Sequence, residues 1–214
     1  MTSSAIILAG GLSSRFGHDK GLLQLAKKPL VTHVLNAVAN VVDEKIVVVS
    51  RSEHVDKYLK ATGGRASILV DSGNTHSPLV GALTGFEEAQ GEYSLLLPCD
   101  TPFVSRDILS LLLELCPGRN ACVPRWPNGY VEPLQAVYRT KSALETSNSA
   151  LCAGKSNVQA MLDTLQCVRY VSTLVLEQID PELKTFFNVN TPQDLKKAEQ
   201  MLSRSRPRTS MPSK

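Results

Sequence analysis

Directly after an apolar run, Ala5 to Ala9, the chain reads Gly10-Gly11-Leu12-Ser13-Ser14-Arg15-Phe16-Gly17-His18-Asp19-Lys20. Glycines let a backbone approach a ligand closely and turn its N–H groups toward phosphate oxygens. Arg15 and Lys20 add positive charge suited to a polyphosphate. The spacing is not that of a Walker A loop: five residues separate Gly11 from Gly17, and His18-Asp19-Lys20 follows. It is not G-x-G-x-x-G either. A surface loop with incidental charges is the competing reading. The position of the glycines after a buried strand, with Lys20 downstream, favours phosphate binding.

Asp100 stands in Leu95-Leu96-Leu97-Pro98-Cys99-Asp100-Thr101-Pro102, at the end of another apolar run. A carboxylate in that place reads as a Mg²⁺ ligand, since Mg²⁺ is commonly held by one or two carboxylates plus substrate phosphates. It reads equally as a turn or N-cap aspartate; the glycine-rich loop tips the balance to the metal. Asp71, also at a strand end, either accepts hydrogen bonds from a base or ribose or caps the following turn. Asn188 and Asn190 shape the edge of a polar pocket or satisfy a turn before the last helix. Cys99 adjoins Asp100 but has no evident base, which argues against a nucleophile. His33 and Trp126 read as packing residues.

These groups need a scaffold that gathers strand ends. Buried strands are expected at Ala5–Ala9, Lys45–Ser50, Ala66–Val70 and Tyr93–Leu97, each a continuous apolar run. Helices are expected from Pro29, over Glu53–Ala61, from Pro78 and over Ser105–Leu115. Four strand-then-helix units in the first 115 residues imply an α/β fold: a mostly parallel sheet with helices on both faces. Ligands then bind outside the carboxyl ends of the strands. The second half is mixed. Strands are expected at Ala121–Val123, Leu134–Tyr138 and Cys167–Val171, and helices at Thr140–Leu151 and Asn157–Leu165. A short strand and turn is expected over Phe186–Thr191, followed by a last helix from Thr191 or Pro192.

With 214 residues, 43% of them hydrophobic, the chain is of one-domain size and is not a mainly disordered protein. No apolar run is long enough to span a membrane, and the apolar start is too short for a signal-peptide core, so it reads as mature sequence. The last twelve residues hold four of the 23 basic residues and none of the 20 acids, which leaves a formal charge of −1 on residues 1–202. The globular part therefore offers no basic face for nucleic acid. Residues 203–214 read as a disordered basic tail. Five cysteines without a C-x-x-C pair point away from disulfides and structural zinc and toward a reducing cytoplasm.

The stretch Leu8-Ala9-Gly10-Gly11-x-Ser13-x-Arg15-x-Gly17-x-Asp19-Lys20 resembles the signature of nucleotidyltransferases of the molybdenum cofactor pathway, the MobA-like guanylyltransferase family. The likeness continues at Lys28-Pro29-Leu30, Asp71, Pro78-Leu79-x-Gly81, Leu97-Pro98-Cys99-Asp100-Thr101-Pro102 and Phe187-Asn188-Val189-Asn190-Thr191-Pro192. It implies a three-layer Rossmann-like nucleotidyltransferase fold over residues 1–202, with 1–115 as the nucleotide-binding half and 116–202 as the acceptor half. The activity implied is transfer of GMP from GTP to Mo-molybdopterin, with Mg²⁺ as cofactor and pyrophosphate as co-product. Partners among molybdopterin-handling proteins or molybdoenzymes are implied as well.

By the same resemblance, Leu8, Ala9, Gly10 and Gly11 bind GTP, the first three through backbone groups. Lys20 contacts phosphate, Asp71 contacts the nucleoside, and Asp100 holds Mg²⁺ and GTP. Arg15, Lys20 and Asp100 form the catalytic set, and Asn188 and Asn190 lie near the pterin. Where the family has an asparagine near the end of the second strand, this chain has Ser50-Arg51-Ser52. The rival readings are a cytidylyltransferase or sugar-phosphate nucleotidyltransferase of the same fold, and a catalytically silent nucleotide-binding partner.

Overall fold

The structure, a computed structural model, describes residues 2–9, 19–71 and 77–204. In chain order the strands and helices are β1 (Ser3–Leu8), β2 (Gln24–Leu25), β3 (Lys28–Pro29), α1 (Leu30–Val38), β4 (Glu44–Val49), α2 (Val55–Thr62), β5 (Ser67–Val70) and α3 (Pro78–Glu88). There follow β6 (Tyr93–Pro98), α4 (Arg106–Leu115), β7 (Ala121–Arg125), β8 (Ala136–Arg139), α5 (Thr140–Cys152), α6 (Val158–Thr164), β9 (Val168–Ser172), α7 (Thr173–Leu176) and α8 (Pro192–Arg204).

Seven strands form one sheet in the order β5-β4-β1-β6-β8-β7-β9. Strands β5, β4, β1 and β6 run parallel, β8 is antiparallel to both of its neighbours, and β9 is parallel to β7. The expected mostly parallel α/β sheet is therefore present, with β8 as its reversed strand.

The burial of β1 explains why the sheet is covered twice. Successive side chains of a strand point to opposite faces. Ala5 and Ile7 pack with Val31, Val34 and Leu35 of α1 and with Ile108, Leu109 and Leu112 of α4. Ile6, between them, packs on the other face with Leu79, Ala82 and Phe86 of α3 and Met161 of α6. A periodic strand of this kind needs an apolar helix stripe on each side. Gly85 lets α3 lie directly on β1, because a Cβ there would run into the Ile6 side chain.

A third, smaller cluster joins Leu25, Leu30, Val189 and Ala198, all buried, and pins α8 and the segment before it beside β2 and β3. This cluster returns the end of the chain to the sheet edge where β1 and β6 finish.

One expectation is corrected, and one element was missed. The strand expected within Phe186–Thr191 is absent: a 3₁₀ turn covers Lys184–Phe186 and the following residues are irregular. Their backbone is engaged elsewhere, since the Val189 N–H donates to the Asp100 carbonyl (2.9 Å) and the Asn188 side chain closes onto the Phe186 carbonyl (3.1 Å). The β2–β3 hairpin was not expected. Its two central residues, Ala26 and Lys27, have φ of 50° and 66°, which Asn-Gly normally supplies. Without a glycine, no turn signal shows in the sequence.

The helix expected over Glu53–Ala61 begins with a 3₁₀ turn, Ser52–His54. The last helix reaches Arg204. No helix among the described residues is long and apolar enough to cross a membrane.

Candidate active site

Parallel strands β5, β4, β1 and β6 all deliver their carboxyl ends to one edge. Because β8 is reversed, its start lies there too, with Ala136 opposite Leu96. The groups that emerge at this edge are Asp71 after β5, Ser50 after β4, Ala9 after β1 and Cys99-Asp100 after β6.

A cavity of about 210 Å³ opens at this edge, lined by Leu8, Ala9, Lys20, Pro78, Pro98, Cys99, Asp100 and Leu134. Lys20 begins a 3₁₀ turn whose N-cap is Asp19. The Lys20 Nζ donates to Asp100 Oδ2 (3.2 Å) and to Asn190 Oδ1 (2.6 Å). Two of the three ammonium N–H groups are thus engaged by residues 80 and 170 positions away. Asp100 Oδ1 is buried and has no hydrogen-bond partner among the described residues. An ionised oxygen in that condition is a costly vacancy in the hydrogen bonding, which a cation removes.

The loop end that presents Lys20 is anchored from behind. Asp19 Oδ1 accepts from the Tyr58 hydroxyl (2.5 Å) and from the Gly21 N–H (3.1 Å). Asp19 Oδ2 lies 3.0 Å from His54 Nδ1, out of line for a full hydrogen bond. Burial, then the neighbouring Cys99 and Asp19, raise the Tyr58 hydroxyl far above its ordinary pKa, so it stays a proton donor. Gly21 is where this anchor meets the turn, since a Cβ there would strike the Tyr58 hydroxyl.

Gly21→Ala is therefore expected to push Tyr58 off Asp19 and to destabilise the fold by about 1–3 kcal/mol. Thermal melts should show a Tm lower by about 3–10 °C. Adding Tyr58→Phe should recover part of the loss; no recovery would point to backbone strain instead.

The expected site residues separate into groups. Lys20 touches both Asp100 and Asn190, and the cavity that Lys20 and Asp100 line is also lined by Leu8 and Ala9. The main-chain groups of these two are already used in the sheet: the Ala9 N–H donates to the Val48 carbonyl (2.8 Å), and the Leu8 carbonyl accepts from Cys99 (3.0 Å). Asp71 lies two strands from β1, about 10 Å along the edge. Asn188 is turned into its own loop and does not line the cavity. Gly10, Gly11 and Arg15 lie outside the described residues, as do 72–76 of the polar loop and 205–214 of the tail.

Cys99 is buried, and burial first, then Asp100 and Asp19, push its thiol well above the ordinary range. It lines the cavity as a buried thiol. His33 Nε2 donates to the Leu25 carbonyl (2.9 Å), bracing the β2–β3 hairpin. No cluster of three His, Cys, Asp or Glu side chains suited to a metal occurs among the described residues. Any cation here would rest on Asp100 and on ligand oxygens, as Mg²⁺ commonly does with phosphates.

Residues 5–168 match the MobA-like NTP transferase domain. The chain belongs to that family. It is 36% identical over 197 residues to "Probable molybdenum cofactor guanylyltransferase" of Methanosarcina mazei, covering 90% of this chain and 88% of that protein. It is 31% identical over 201 residues to the protein of the same name from Natronomonas pharaonis, covering 94% and 98%. Among solved structures it resembles the molybdopterin-guanine dinucleotide biosynthesis protein A of Archaeoglobus fulgidus, with a TM-score of 0.80 and 27% identity over 94% of this chain and 99% of that one.

As a MobA-like NTP transferase, the chain carries Lys20 and the strand-end Asp100 on one cavity wall. The residues that sequence reasoning missed are those supporting them. His54 and Tyr58 emerge from the turn and helix after β4, with no local pattern to mark them. Glu132, a lone acid between β7 and β8, accepts from the Trp126 indole Nε1 (2.8 Å). Its position within Val131-Glu132-Pro133-Leu134 was the signal available.

Proposed function

We propose that this chain transfers GMP from GTP to the terminal phosphate of Mo-molybdopterin, forming molybdopterin guanine dinucleotide and pyrophosphate. The observation that carries this reading is the pairing of Lys20 with Asp100 on the wall of one cavity at the carboxyl edge of the sheet, with Asn190 holding the same ammonium. The names of the relatives in the MobA-like family support the guanylyl donor and the pterin acceptor.

An oxygen of the acceptor phosphate attacks the α-phosphorus of GTP in line with the bond to the β-phosphate. The new P–O bond forms as that bond breaks, and pyrophosphate departs with the electron pair. A phosphate monoester is largely ionised at pH 7, so no side chain has to remove a proton. The chain's contribution is alignment and charge neutralisation.

Lys20, steadied by Asn190, balances the negative charge that builds on the departing pyrophosphate. Arg15 is assigned the same task from the glycine-rich loop, whose Gly10 and Gly11 are assigned to the phosphates. Asp71 serves the nucleoside from the β5 side. The unpartnered Oδ1 of Asp100 fits Mg²⁺, which when bound screens the phosphate charges from the incoming nucleophile. Residues 1–115 thus act on the nucleotide and 116–202 on the acceptor. A cytoplasmic setting accords with five free cysteines.

The test is pyrophosphate release from GTP, CTP, ATP and UTP, each with Mg²⁺ and molybdate-loaded molybdopterin. GTP is expected to be the substrate. Preference for CTP would replace the guanylyl assignment with a cytidylyl one. Binding of GTP without pyrophosphate release would make the chain a silent partner.

A further inference from the structure

A second cavity, of about 420 Å³, lies outside the phosphate site and includes Trp126, Glu132, Leu183, Phe186, Phe187 and Met201 in its lining. Its placement follows from the sheet. Strand β7 is parallel to β6 and two positions beyond it, so Trp126, the residue after β7, emerges at the same edge, about 10 Å from the end of β6. Glu132 lies on the β7–β8 connection, two residues before Leu134 of the phosphate cavity. Phe187 lies three residues before Asn190, at most about 11 Å of chain. The two cavities are therefore neighbours along one edge, and Asp71 lies on the opposite side of Lys20 and Asp100.

The chemistry of the wall is specific. Trp126 and Phe186 meet edge to face at 5.6 Å and make an aromatic surface. The indole of Trp126 holds one oxygen of Glu132, and the Glu132 carboxylate makes no other hydrogen bond among the described residues. Leu183 is held at φ 46°, a strained conformation for a branched apolar residue and of the kind that collects at ligand sites. A flat ring offering an amide N–H and an amino group side by side suits a carboxylate beside aromatic faces. Both pterin and guanine have that edge.

We infer that the Trp126–Glu132–Phe186 cavity binds the pterin ring of the acceptor, with Glu132 accepting from its amide and amino N–H groups. The inference rests on the guanylyltransferase reading above for the identity of the acceptor. Pterin is chosen over guanine by position: the nucleoside belongs to the Asp71 side of the reacting phosphates, and this cavity is on the other side. Burial, opposed by the Trp126 hydrogen bond, raises the pKa of Glu132, as befits a carboxylate whose acceptor capacity is not yet filled.

Trp126 is the only tryptophan of the chain, so its fluorescence reports on this cavity alone. Titration with 6-hydroxymethylpterin, with N-acetyltryptophanamide as the optical control, should quench it saturably and independently of GTP and Mg²⁺. Glu132→Gln should raise the apparent Kd for this pterin at least tenfold, and raise the KM for molybdopterin in the transfer reaction while leaving the KM for GTP in place. Absence of saturable quenching, an unchanged Kd in Glu132→Gln, or displacement of the pterin by GTP would overturn the inference, the last by making the cavity a guanine site. Pterin quenching without pyrophosphate release from any triphosphate would uphold the cavity and sink the transferase reading. Pyrophosphate release without quenching would do the reverse.

Discussion

Asp100→Asn lowers the kcat of GMP transfer by at least about 100-fold, the scale on which loss of one preorganised charge-stabilising group registers. The substitution keeps the shape of the side chain and one acceptor oxygen, so the Val189 N–H remains on the residue 100 carbonyl and the fold is retained. What it removes is the negative charge at Oδ1, the atom that has no protein partner. An amide in that place is a poor ligand for a hard cation. The ion pair with Lys20 is largely buried, its side chains 22% and 14% exposed, but Lys20 keeps Asn190 and the amide oxygen still accepts, so the loss is expected at about 1–2 kcal/mol. Tm should therefore fall by only a few degrees. Melts and steady-state rates over a range of Mg²⁺ concentrations decide the matter. Wild-type turnover in the variant with metal present would refute the metal role of Asp100.

Lys20→Ala has the second-largest expected effect. In the proposed reading the ammonium meets the phosphate tail of the nucleotide, and it is already linked to Asp100 and Asn190. Removing it should weaken GTP binding by about 10- to 100-fold, equivalent to about 1.4–2.8 kcal/mol, and GMP binding much less, because charge-assisted contacts scale with the phosphates present. Isothermal titration with both nucleotides tests this. Equal losses for GTP and GMP would show that Lys20 serves mainly to hold Asp100 and the Asn190 segment in place. Lys20→Arg is not a neutral exchange, because the planar fork of arginine cannot meet Asp100 Oδ2 and Asn190 Oδ1 as the rotatable ammonium does.

Much of the scaffold was legible from local pattern. Continuous apolar runs marked β1, β4, β5 and β6 because strands covered on both faces have no polar side to show. The helices announced themselves through three-to-four-residue spacing and through starts such as Pro78; the cap just before it, the Ser77 hydroxyl accepting from the Val80 N–H (3.2 Å), came from the structure. The β2–β3 hairpin stayed hidden because Ala26 and Lys27 take a backbone conformation that their side chains do not advertise. The segment at Phe186–Thr191 was misread as a strand because its apolar residues are buried by α8 and the hairpin rather than by a sheet.

The site divides in the same manner. Composition and spacing alone determined that a glycine-rich stretch follows the first strand, that acids stand at strand ends, and that these ends belong on one edge of a parallel sheet. Each of these is a statement about neighbours in the chain, where burial and turn chemistry leave a periodic trace. Only the tertiary structure decided that Asn190 rather than Asn188 reaches Lys20, that Tyr58 braces Asp19 from behind with His54 beside it, and that Trp126 and Glu132 open a second cavity beyond β6. Those contacts join residues dozens of positions apart. They are set by the order of strands in the sheet and by which helix covers which face, and no local periodicity carries that information.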